Sequence, residues 1–94
     1  MKNELALKMA YYRKEDWELF LKTIDDRERM HETWEEWHDA YQKLKKKLSD
    51  EGFEVIDVII DIEELSVYCK IQGIKNDGNA RSKFVLQKDK NDGI

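Results

Sequence analysis

Hydrophobic positions in this chain follow two kinds of spacing. Leu5, Leu7, Met9 and Tyr11 stand at alternate positions, with Ala6, Lys8, Ala10 and Tyr12 between them. That period of two predicts a half-buried strand over Leu5–Tyr12. The period then lengthens. Trp17, Phe20, Leu21 and Ile24 fall at i, i+3, i+4 and i+7, one face of a short helix, with Glu15 and Asp16 in the first turn, where the helix dipole favours acids. Asp25-Asp26 marks a break. From about Arg27 to Leu48 the residues Met30, Trp34, Trp37, Tyr41, Leu44 and Leu48 alternate spacings of four and three, which holds all of them on one stripe of a long helix. Ser49-Asp50-Glu51-Gly52 closes it, with Gly52 placed for a left-handed cap.

Phe53–Ile60 is rich in β-branched residues and apolar on both faces, so it predicts a covered strand. Asp61, with Glu64 three residues on, has the spacing of a helix N-terminus. The helix it opens turns Ile62, Leu65, Tyr68, Cys69 and Gln72 inward and ends at Gly73. Asn76-Asp77-Gly78 is a turn. A last short helix, about Asn79 to Lys88, presents Ala80, Phe84 and Val85 inward, and residues 89–94 are expected as a frayed, exposed tail. The order is strand, helix, helix, strand, helix, helix, which predicts a mostly helical α/β (or α+β) domain over residues 1–88. Its two short strands pack on the long amphipathic helix. They are expected side by side and parallel, because the helices between them supply a crossover.

Length and charge narrow the classes. Ninety-four residues make one domain, and a chain this short buries only roughly 60–65% of its unfolded surface. A partner would add to a small core, and the open edges of a two-stranded sheet offer one route to a homodimer. Three Trp, four Tyr and three Phe supply core material despite a 40% charged content. No apolar run approaches the roughly 20 residues of a membrane span, and Met1-Lys2-Asn3-Glu4 lacks the apolar stretch of a secretory signal. With a single cysteine, these features read as a cytoplasmic protein. The formal charge of -4 exerts no overall pull on nucleic acid or anionic lipid. Residues 53–64 nevertheless carry five acids and no base, whereas residues 65–94 carry six bases and three acids.

Four groups of residues bear on chemistry. Glu28–His31 and Glu35–His38 are both Glu-x-x-His, and His31, Glu35 and His38 fall at i, i+4 and i+7 of the expected long helix. That makes them metal-ligand candidates, but di-metal sites draw such motifs from different helices, so a solvated polar face is the simpler reading and no cofactor is expected. Trp34, Trp37 and Tyr41 offer a stacking platform or, more simply, a core stripe. Cys69 sits late in its helix, away from the N-terminal position that lowers a thiol pKa, and reads as an inert packed thiol. The bases Lys70, Lys75, Arg81, Lys83 and Lys88 form a modest candidate surface for phosphates.

The segment from Asp61 to Val85, with its Gly73-Ile74 step, polar turn, Gly78 and basic second helix, resembles the helix–extended turn–helix of SAP-type nucleic-acid-binding modules. It covers about 25 residues and departs from the pattern at Phe84, which lies one position later after Gly78. The resemblance implies weak nucleic-acid association through those five bases. The alternative, and the main expectation, is a non-enzymatic protein-interaction module that self-associates.

Overall fold

The computed structural model describes residues 5–92, and the side chains of residues 5–88. Strand β1 (Leu5–Tyr11) is followed by a single 3-10 turn at Lys14–Asp16 and helix α1 (Trp17–Thr23); a second 3-10 turn at Arg27–Arg29 precedes helix α2 (Trp34–Asp50). Strand β2 (Phe53–Ile59), helix α3 (Ile62–Gln72) and helix α4 (Gly78–Asp92) complete the described chain. The two strands pair in parallel, in register from Leu5↔Phe53 to Tyr11↔Ile59. The expected mixed, mostly helical architecture with a two-stranded parallel sheet is what forms, and α2 lies against β2.

The core sits where the strands end. Tyr12 and Ile60, the residues just past β1 and β2, are both buried, with Phe20 and Leu65 sealed completely. Tyr12 stacks on Phe20 with ring centroids 4.2 Å apart, and Trp37 meets Tyr12, Trp17, Tyr11 and Tyr41 at 5.0–5.7 Å. Such offset and edge-on pairs each add about 0.5–1.5 kcal/mol beyond burial. Nine of the chain's ten aromatic residues, all but Phe53, take part in ring contacts.

The long helix is shorter than its spacing predicts. It begins at Trp34, not Arg27, because Thr33 is extended (φ -122°, ψ 156°) and caps the helix: Thr33 Oγ1 accepts from the Glu36 N–H at 3.1 Å, and Glu36 reaches back to the Thr33 N–H. This reciprocal pair satisfies the first orphan donors and fixes the start. Met30 therefore packs on the core from an irregular segment. Leu44, expected inward, is 45% exposed and looks into the groove described below. At the far end the helix runs to Asp50, and Gly52 takes φ 100°.

The α3 boundaries follow the sequence signals. Asp61 Oδ1 accepts from the Glu64 N–H at 3.0 Å, and Gly73 is left-handed at φ 70°. Gln72, expected inward, is exposed. Helix α4 starts at Gly78, with the Ala80 N–H donating to Asp77 Oδ1 at 3.0 Å. Its backbone continues past Lys88 to Asp92, whereas the side chains of residues 89–92 and the whole of residues 93–94, where the tail is expected, lie outside the described residues.

Candidate interaction site

A parallel pair of strands leaves two outer edges. Because the Ile60 N–H donates to the Tyr11 carbonyl at 3.0 Å, the odd-numbered residues of β1 turn their peptide groups toward β2. The peptide groups of Ala10 and Tyr12 point the other way. Trp34 closes the end of that outer edge by donating from Nε1 to the Tyr12 carbonyl at 2.8 Å. Beside the same edge runs a groove of about 530 Å³ between α2 and α4, walled by Met9, Met30, Trp37, Leu44, Val85 and Leu86. Apolar side chains, two of them methionines, make up much of the wall, and Lys8, Arg29 and His31 line it as well.

Arg81 forms one side of this groove and is only 7% exposed. It grips Asp26 with two hydrogen bonds, Nη1 to Oδ1 at 3.0 Å and Nη2 to Oδ2 at 2.8 Å, and donates to the Asn76 carbonyl at 3.1 Å. Its guanidinium carbon lies 5.5 Å from the centre of the Phe20 ring. Asp25 and Asn76 exchange two further bonds, Asp25 N–H to the Asn76 carbonyl and Asn76 N–H to Asp25 Oδ2. Burial alone would raise the Asp26 carboxyl, but the Arg81 hydrogen bonds and charge outweigh it and hold it below the ordinary value. Burial pushes the Tyr12 hydroxyl up to about 12. The network ties the loop before α2 to the N-terminal turn of α4.

Tyr41, which also lines the groove, donates to Asp57 Oδ1 at 2.5 Å, and Lys45 pairs with the same carboxylate at 3.1 Å. Burial would raise Asp57, yet the bonds from Tyr41 and Lys45 bring it down. Burial and the Asp57 bond raise Tyr41. These groups pin α2 to β2.

The metal-ligand candidates are not brought together. His31 lies in the irregular segment before α2, Glu35 pairs with Lys14 at 2.7 Å, and the His38 ring stacks on Trp34 at 4.4 Å. No group of three or more metal-ligating side chains converges among the described residues. The aromatic stripe is divided: Trp37 and Tyr41 are core, while Trp34 is half-buried at the edge of β1. Cys69 is buried, and burial followed by the charges of Asp25 and Asp77 raises its thiol.

The five phosphate candidates differ in burial and pairing. Arg81 is enclosed by Asp26 and Asn76, which corrects its expected place on the surface; the physical reason is a carboxylate 55 residues away. Lys88 is held by Glu64 at 3.1 Å. Lys70, Lys75 and Lys83 are exposed, on α3, on the loop after it and on α4.

One surface escaped the sequence reading. Val67, Ile71 and Ile74 are 53%, 75% and 38% exposed. Their spacing of four and three was visible, but it runs beside the Ile62/Leu65/Cys69 stripe that the core claims. Comparison with protein-family models, curated proteins and solved structures gives no match. No helix among the described residues is long and apolar enough to cross a membrane.

Proposed function

We propose that this chain is a non-enzymatic protein-interaction module that associates with a second copy of itself. The observation that carries the reading is the pair Val67 and Ile71, two large apolar side chains one turn apart on the outer face of α3, 53% and 75% exposed. Exposed apolar side chains grouped on one helix face offer an association surface. The groove beside β1 adds a second apolar recess, rimmed by Leu44 and by Leu86, which is also exposed. The cytoplasm is the compartment we assign, since a lone thiol has no disulfide partner within the chain.

Sedimentation velocity over a concentration series tests the proposal. The weight-average mass rises from that of an 11.3 kDa monomer toward a dimer with increasing concentration. A mass that stays monomeric up to the highest soluble concentration would overturn it.

A further inference from the structure

Helix α3 is apolar on two sides. Ile62, Leu65 and Cys69 are buried in the core, while Val67 and Ile71, one turn apart, stand on the solvent side, with Ile74 just past the Gly73 cap. Glu63 and Lys70 flank this outer row. They are seven residues apart, so they share one side of the helix, and they lie at nearly equal distances before and after Val67. Both are exposed. The nearby Glu64, by contrast, is engaged by Lys88.

Acid, apolar centre, base is a self-complementary order when the helix meets a copy of itself running the opposite way. A two-fold axis beside Val67 sets Val67 against Val67. The same axis brings Glu63 against Lys70 of the second copy, and Lys70 against its Glu63. In antiparallel helix pairs, residues on the same flank face each other across the axis, so both charge pairs form together. Ile71 then covers the stem of Glu64 in the other copy. The helix dipoles oppose, which also suits an antiparallel pair.

We infer that the outer face of α3 is the self-association surface, and that two copies pair it antiparallel about Val67 with reciprocal Glu63–Lys70 contacts. This rests on the self-association proposed above and specifies where it occurs. The contact is short, about 16 Å of helix, so the dimer is weak and concentration-dependent.

Four variants of the full chain, Ile71→Asp, Glu63→Lys, Lys70→Glu and the double reversal Glu63→Lys/Lys70→Glu, test the geometry by sedimentation, with far-UV circular dichroism to check that each is folded. Ile71→Asp abolishes the dimer. Each single reversal puts two like-charged pairs at the contact and weakens dimerisation roughly tenfold, and the double reversal restores it to within about twofold. A wild-type dimer left unchanged by all four would overturn the α3 surface while self-association stands. A dimer lost in the single reversals but not regained in the double one would overturn the antiparallel pairing. A wild-type chain that never dimerises would overturn both proposals.

Discussion

Arg81 occupies a position that a small core can ill spare for a charge. Its guanidinium is satisfied by Asp26, by the Asn76 carbonyl and by the face of Phe20, and removing one partner leaves the other buried and unpaired. Asp26→Ala is therefore expected to destabilise the fold by about 3–5 kcal/mol. Asp26→Ala/Arg81→Met costs less than the sum of the two single changes, since the methionine no longer needs a counter-charge; urea unfolding of the four proteins measures the coupling. Phe20→Ala, at a fully sealed site beneath the same guanidinium, is expected to cost about 3–5 kcal/mol. The pH dependence follows from the same residues. The carboxyls of Asp26 and Asp57 lie below their ordinary value in the fold. Their stabilisation is complete above the unfolded carboxylate range, roughly pH 4, and is lost as pH falls through the depressed folded values. Tyr12 is raised to about 12, so its contribution is complete below the ordinary tyrosine pKa of about 10 and disappears as pH rises toward 12. Urea midpoints measured across pH should show both limbs, with the acid limb flattened in Asp26→Asn.

Among the elements, the two strands and the ends of α3 are the most legible parts of the sequence. Asp61 with Glu64, Gly52 and Gly73 each do locally what their side chains and φ values favour, and the β-branched run at 53–59 pairs in parallel with residues 5–11. Periodicity places the start of α2 too early, although the capping signal stands in the sequence. Thr33-Trp34-Glu35-Glu36 is a capping box, but Met30 continues the four-three spacing through it, and periodicity cannot tell a residue on a helix from one packed just before it. Thr33→Ala is expected to cost about 1 kcal/mol, and Glu36→Ala should cost no more, because it removes the reciprocal half of the same box. Thermal melts of the two variants check this. Arg81 was illegible for a different reason: its helical position is ordinary, and its burial depends on a loop 55 residues away. The outer row of α3 was hidden because a helix with two apolar sides has no single periodic face.

The molecule as a whole is built around a crowded aromatic junction at the ends of two strands, with four helices drawn onto it. That arrangement seals Phe20, Ile60 and Leu65, yet it leaves Leu44, Val67, Ile71 and Leu86 in contact with water. A short chain with a high surface-to-volume ratio cannot cover all its apolar residues by itself. The self-association proposed above would use this exposed apolar surface, while no group of three or more metal-ligating side chains converges among the described residues. Methyl NMR over a dilution series tests this most directly. The account predicts that the Val67 and Ile71 methyl resonances move with protein concentration while those of the sealed Ile60 and Leu65 stay fixed. Concentration-dependent shifts confined to Leu44, Ile59 or Leu86, or no shifts at any concentration, would contradict it.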